Sequence, residues 1–337
     1  MKIVRMLSWV AVFSVLSAAS VFSVPTGGVF IPRNGGYEGW IGGSHVFIDR
    51  AAGGTLSVTA GEAPNLKPLV RMELVFMIRK PGSAAPVSVR QSFDKSPEVI
   101  IVEEGNDRIG VRIKFRLYDE KNVYHGYGMT EGWFHPDGTM YLDAAASFDD
   151  SLAQTAVTDA RIAFDLPGAY ATAVPGTSGP GSIVLSSLAA PKAIPFTDAA
   201  LPGRAVTFSG GPNPPLSIFW RTGKLDLMCW PARGGFDPKN TGAPSYFRWP
   251  TFLPQAFHGV SGGGTVSALS LRKNGADLVW LDNHPSTTPT PTFCAVFRLA
   301  AAADERRARL LVEEERRYID LKVKNGTVWD SARNTCG

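Results

Sequence analysis

Residues 123–150, "VYHGYGMTEGWFHPDGTMYLDAAASFDD", gather two histidines, a glutamate, several aspartates and a set of aromatics around one Pro-Asp-Gly turn. Pro136 suits the first central position of a type I turn and Asp137 the second. Gly138 supplies the left-handed residue that closes a three-residue hairpin loop. That turn fixes a register. His135 faces Thr139, Trp133 faces Tyr141 and Glu131 faces Asp143 on one side of the hairpin. Phe134 with Met140, and Gly132 with Leu142, point to the other side. The second set is apolar, so one face belongs to a core and the other is polar.

The preceding segment, "IGVRIKFRLY" (109–118), alternates in the same way, with Val111, Ile113, Phe115 and Leu117 apolar and Arg112, Lys114 and Arg116 basic. A turn at "DEKN" places Arg116 opposite His125 and Lys114 opposite Tyr127. Carried through, this alternation collects Arg112, Lys114, Arg116, His125, Tyr127, Glu131, Trp133, His135, Tyr141 and Asp143 on one sheet surface. Gly126, Gly128 and Gly132 are the places where a bulge would flip the parity.

Further along, "PLVRMELVFMIR", "TDARIAFDL", "SIVLSS", "LSIFWR", "KLDLMCW", "VSALSLR", "DLVWLD" and "TFCAVFRL" also read as strands, punctuated by Gly, Pro, Asn and Asp at intervals too short for helical crossovers. The expected fold is therefore all-β, a large antiparallel β-sandwich. One helix is expected, "DERRARLLVEEERRY" at 304–318, capped by Asp304 and followed by a hairpin turning at Asn325-Gly326. The segment from Pro231 to Gly264 has no clean period but is rich in aromatics, and reads as a loop packed over one mouth of the sandwich.

Lys2 and Arg5 precede an uncharged apolar run with small residues at Ala18, Ser20 and Ser23, the pattern of a secretory leader. A membrane anchor is the competing reading, but Ser, Gly and Pro dilute the run beyond Ser17. The expected organisation is a leader over 1–23, the sandwich over 24–303, and the helix, hairpin and tail over 304–337. The protein is then secreted or periplasmic, with no membrane span after cleavage. The 34 basic and 30 acidic residues are close to balance and form no basic block, which makes nucleic acid a poor partner. Of the three cysteines, Cys229 and Cys294 sit in apolar runs; a disulfide between them and two buried thiols both remain open. The five histidines are scattered and no metal-site spacing occurs, so neither a metal nor another cofactor is expected.

Mixed acids, bases and flat aromatics on a sheet face suit a saccharide: rings stack on its C–H faces, while arginine and carboxylates take hydroxyl or uronate groups. Arg112, Lys114, Arg116, Trp133, His135 and Tyr141 are the binding candidates, and the basic stripe favours an acidic glycan. His125, Tyr127, Glu131 and Asp143 are the candidates for acid–base chemistry, with Glu131 and Asp143 as a cross-strand carboxylate pair that a nearby arginine would neutralise. The same face is also what any antiparallel sheet presents to water. Three functions follow: a non-catalytic glycan-binding module, a polysaccharide lyase or glycoside hydrolase, and a cell-envelope interaction protein with no small-ligand site.

The meander "VRIKFRLYDEKNVYHGYGMTEGWFHPDGTMYL" and the helix at 304–318 resemble the galactose-mutarotase-like supersandwich domains of carbohydrate-active enzymes. That resemblance implies an oligo- or polysaccharide partner and a catalytic domain or protein downstream. The catalytic His/Glu set of mutarotases has no residue-by-residue match, so no family site is carried over.

Overall fold

The computed structural model describes residues 27–60, 67–80, 82–148, 156–166, 170–176, 181–195, 205–220, 266–280 and 292–314. In chain order the strands are β1 (Val29–Arg33), β2 (Gly36–Ile41), β3 (Ser44–Asp49), β4 (Thr55–Ala60), β5 (Lys67–Arg79), β6 (Val87–Arg90), β7 (Glu98–Glu103), β8 (Ile109–Asp119), β9 (Tyr124–Phe134) and β10 (Thr139–Phe148). They continue as β11 (Ala156–Asp165), β12 (Thr172–Pro175), β13 (Ile183–Val184), β14 (Lys192–Pro195), β15 (Ala205–Ser209), β16 (Leu216–Trp220), β17 (Val266–Arg272), β18 (Gly275–Trp280) and β19 (Thr292–Ala301). A single helix among the described residues, α1, spans 305–314.

The fold is the antiparallel β-sandwich that the alternation predicts. One layer runs β13-β12-β15-β16-β19-β10-β9-β8. The other runs β14-β17-β18-β11-β5-β4-β3-β2-β1. Their inner faces meet edge-to-face: Phe76 on β5 lies 5.1 Å from Phe148 on β10, and Phe164 on β11 lies 5.4 Å from Phe297 on β19. Val111, Ile113 and Leu117 on β8 and Leu74 and Ile78 on β5 are completely buried between the layers, so the period-two pattern does select the core face.

The layers are joined by the four residues of β6, which pair with β5 through Val87–Arg90 and with the end of β8 through Val89 and Arg90. Each of those long strands therefore changes neighbour partway along one edge. On β5 the ladder with β4 ends at Met72 and that with β6 begins at Val75. In the gap, the Leu74 N–H donates to Gln91 Oε1 (3.3 Å), and Gln91 Nε2 donates to the Gly53 carbonyl (3.0 Å). On β8 the gap falls between Lys114, paired with β7, and Tyr118, paired with β6. There the Arg116 N–H donates to Asp94 Oδ2 (2.8 Å). Gln91 and Asp94 are 2% and 4% exposed, so these backbone groups have no water to fall back on.

Beyond the strands that alternation marks, β1–β4, β6, β7, β12, β14 and β15 also form, and one marked stretch is shorter than expected. "SIVLSS" forms only the two-residue β13, followed by a 3₁₀ turn over Leu185–Ser187. The β1–β4 meander was missed because Gly36, Gly39 and flanking Gly42-Gly43 interrupt the hydrophobic alternation on which the reading relied. The Asp304 cap is present, accepting from the Arg307 N–H (2.7 Å). The leader, the whole Pro231–Gly264 segment, the expected strand at "KLDLMCW" with Cys229, the end of the helix from 315 and the C-terminal hairpin lie outside the described residues.

Replacing Gln91 with Leu keeps the volume but orphans the Leu74 N–H and the Gly53 carbonyl. The expected loss is about 1–3 kcal/mol of unfolding free energy in urea titration; a loss no larger than that of an exposed-strand control would show the corner to be held otherwise.

Candidate functional site

The Pro-Asp-Gly hairpin forms in the expected register. Trp133 faces Tyr141 and Glu131 faces Asp143. Gly138 has φ +81° and closes the loop, with the His135 N–H donating to the Thr139 carbonyl (2.9 Å). The Asp143 side chain lies outside the described residues, and with it the expected carboxylate pair.

The other turn is longer than expected. Arg116 faces Tyr127 and Lys114 faces Met129, two residues along from the predicted partners. The cause is Asp119. Its Oδ1 accepts from the Lys121 and Val123 N–H groups, both at 2.9 Å, and Asn122 takes a left-handed φ of 60°. The register then shifts once between the Leu117 and Tyr118 pairs, leaving His125 as the extra residue. His125 consequently leaves the basic face and is completely buried.

On the outer face of β8 and β9, Glu131 is fully engaged. Arg112 Nε and Nη2 both lie 2.7 Å from Oε2, and Trp133 Nε1 donates to Oε1 (3.0 Å). The Trp133 ring lies over Gly110, where an added Cβ would come within 2.5 Å of the indole. Arg108 caps the same ring with its guanidinium 4.8 Å from the centroid, and is itself paired to Glu103. Trp133 is only 2% exposed and Glu131 6%. The charge is thus buried but paired and hydrogen-bonded, and the indole is a packed wall, not a platform open to a sugar.

His135 and Tyr141 pack edge-to-face at 5.6 Å, half-buried beside the hairpin turn. Lys114 is paired with Glu98 at 3.0 Å across the surface. The open part of this face lies at the other end of β8. There Arg116 is exposed opposite Tyr127, Tyr118 faces Tyr124 across the strands, and Arg90 on β6 faces Tyr118. The Tyr118 and Tyr124 rings are 6.1 Å apart, and Tyr124 is 39% exposed. A side-chain hydrogen bond with Tyr118, with smaller help from Asp94 and Tyr124, raises the Arg116 guanidinium above its ordinary value and keeps it charged. Tyr118 and Tyr124 were missed as site residues although Tyr118 is the next outward position after Arg116. Arg90 gave no signal, because a four-residue strand carries too little alternation.

Below that corner, on the core side, His125 Nε2 lies 3.1 Å from Asp119 Oδ2, and Lys80 Nζ lies 3.6 Å from the same oxygen. Burial lowers the His125 imidazole from its ordinary value, and the Asp119 hydrogen bond only partly opposes this. Burial pushes Asp119 up, but the hydrogen bonds from Val123, His125 and Lys121 together hold it below its ordinary value. His45, against Trp40, is likewise lowered by burial. Among the described residues no group of three His, Cys, Asp or Glu side chains is placed to hold a metal ion. No described helix is long and apolar enough to cross a membrane.

No protein-family model matches the chain, and no curated protein matches it in sequence. Among solved structures it is similar to an α-mannosidase from Enterococcus faecalis V583, with TM-score 0.46 and 10% identity over 83% of this chain and 31% of that one. It is also similar to a protein in the glycosyl hydrolase family 38 from Enterococcus faecalis, with TM-score 0.46 and 9% identity over 83% of this chain and 32% of that one. The chain spans about a third of the length of those two proteins.

A histidine held below its ordinary value takes up fewer protons folded than unfolded. Its stabilising contribution is complete above the unfolded pKa of about 6.5 and is lost as pH falls through that value toward the folded one. Unfolding free energy should be flat near pH 7–8 and decline between about pH 6.5 and 5, with part of the decline removed in His125→Asn. Equal slopes in the two proteins would mean that His125 titrates normally.

Proposed function

We propose that this chain is an exported, carbohydrate-recognising β-sandwich, a non-catalytic module of a polysaccharide-degrading system. It takes an acidic glycan at the corner formed by Arg90, Arg116, Tyr118, Tyr124 and Tyr127. The observation that carries this reading is one exposed cation, Arg116, set among accessible phenol rings on one sheet face, with the half-buried Arg90, paired to Glu73 at 3.6 Å, beside it. Phenol rings offer flat contact for sugar C–H faces, and the exposed Arg116 guanidinium matches a uronate carboxylate bidentately. Export rests on the leader pattern of residues 1–23, and a catalytic partner downstream rests on the mutarotase-like resemblance.

Trp133 and Glu131 take no direct part in this proposal, because each is buried in contacts of its own. A lyase is the second reading, favoured by one observation: Tyr127 lies directly opposite Arg116, the neighbourhood of a phenolic base and a carboxylate-neutralising cation.

A glycan array probed with the chain lacking its leader tests both. Uronate-containing glycans should bind, and Tyr124→Ala or Arg116→Ala should each weaken binding at least about tenfold, the scale of one lost contact of about 1.4 kcal/mol. Incubation of the bound polymer, followed by ultraviolet absorbance of unsaturated ends, then separates module from lyase. A folded protein that binds no glycan would overturn both and leave an envelope interaction protein.

A further inference from the structure

A cavity lies on the outer face of the same layer, far from the tyrosine corner. It has a volume of about 560 Å³ and lies between α1 and the strands β12 and β15. This is within the size range of small-ligand sites.

Its floor is built by register. Val174 pairs with Thr207 and Thr172 with Ser209, which brings Val174, Thr207 and Ser209 to the cleft. Ser182, from the stretch leading into β13, closes one side. The roof is α1, anchored through Ala308 and Val312, which are 0% and 2% exposed. Glu305, Arg309, Val312 and Glu313 line the cleft, and their i, i+4, i+7, i+8 spacing sets them on one helical face. An amphipathic helix ordinarily lays leucines on a sheet. This one lays two carboxylates and a guanidinium over hydroxyls.

Hydrogen-bond accounting leaves capacity in that floor. Thr207 and Ser217 share one bond between their hydroxyls at 2.9 Å, so one of the two O–H groups remains for a third partner. Thr172 donates to the Ser209 carbonyl (3.3 Å), so in the hydroxyl contact at 3.2 Å Ser209 is the donor and keeps a lone pair free to accept. Thr207 and Ser209 are 8% and 6% exposed, buried except toward the cleft they line. The Arg309–Glu305 contact is long, 3.9 Å, and both side chains are mostly exposed, so little is lost when either turns to a ligand.

We infer that this cleft is a binding site for a small neutral saccharide. Carboxylates accept from vicinal hydroxyls, Arg309 donates to ring or hydroxyl oxygens, the Thr207–Ser217 pair does either, and Val174 and Val312 meet the C–H faces. Among the described lining residues Glu305 and Arg309 balance each other, which leaves no net cation to hold a uronate and sets this ligand apart from the one at the corner. The inference is independent of the tyrosine corner and survives if that reading fails.

The test is calorimetric titration of the whole chain with cellotriose, xylotriose and mannotriose as neutral probes, trigalacturonate as the acidic probe and chitosan trimer as the cationic one. At least one neutral trimer should bind. Glu305→Gln and Thr207→Val should each weaken it tenfold or more, while Arg116→Ala leaves it unchanged and affects only trigalacturonate. Glu305 is exposed, so its variant folds and decides the question alone if Thr207→Val does not fold. Failure of every neutral trimer to bind, binding indifferent to Glu305→Gln, or binding of the chitosan trimer alone would each overturn the inference.

Discussion

Where two sheets share a strand, each long strand must exchange one neighbour for another, and at the exchange its backbone groups have no ladder partner. In this protein the exchange occurs on β5 between Met72 and Val75 and on β8 between Lys114 and Tyr118. A buried unpaired N–H costs as much as a lost hydrogen bond or more. Gln91, the first residue of a single 3₁₀ turn, and Asp94, which caps its end, serve one gap each. Glu73 adds a third tie by accepting from the Ser92 N–H (3.2 Å). With both gaps closed from one short segment, the angle between the layers is fixed at the place where β6 passes from one to the other. The facing of Phe76 on Phe148 and Phe164 on Phe297 is a consequence of that angle.

The corner also decides which polar residues are open to a ligand. Along β9 the outward side chains run from Tyr127, half-buried at the corner, through Met129 and Glu131 to Trp133 near the hairpin turn, all three of them buried. Beside Trp133, Arg108 and Arg112 fold down over the indole and Glu131, and every charge finds an opposite one. At Arg116 the backbone is tied to Asp94 while the guanidinium stands in solvent. The same alternation of basic and aromatic residues thus makes a packed surface at one end of a strand and an accessible one at the other.

That distinction marks the limit of what was legible in the sequence. Alternation reports which face a side chain takes, and it placed Glu131, Trp133 and Tyr141 on their correct side through the Pro136-Asp137-Gly138 turn. It is silent about how deep that face is buried, because burial depends on residues distant in sequence, such as Arg108 for Trp133. The Asp119 turn was misread because the Asp119 carboxylate captures two N–H groups and lengthens the loop, an effect that residue pattern alone does not meter. His125 moved to the core as a result. The α1 cleft had no sequence signature at all: Thr207, Ser209 and Glu305 are ordinary residues until register and a helix bring them together.

The outer face of one layer therefore carries two accessible polar regions, separated along the strand order β9-β10-β19-β16-β15. Four strand spacings across the layer, combined with an offset along β19 from Thr292 to Ala300, set Tyr127 and Thr207 on the order of 30 Å apart. Between them the Arg298 guanidinium lies 4.2 Å over the buried Phe219 ring. Monosaccharides at the two regions cannot touch, so each region must be selective on its own contacts. For an extended glycan lying across the strands and meeting both proposed sites, the second contact would be intramolecular, raising avidity without any new interaction at either end.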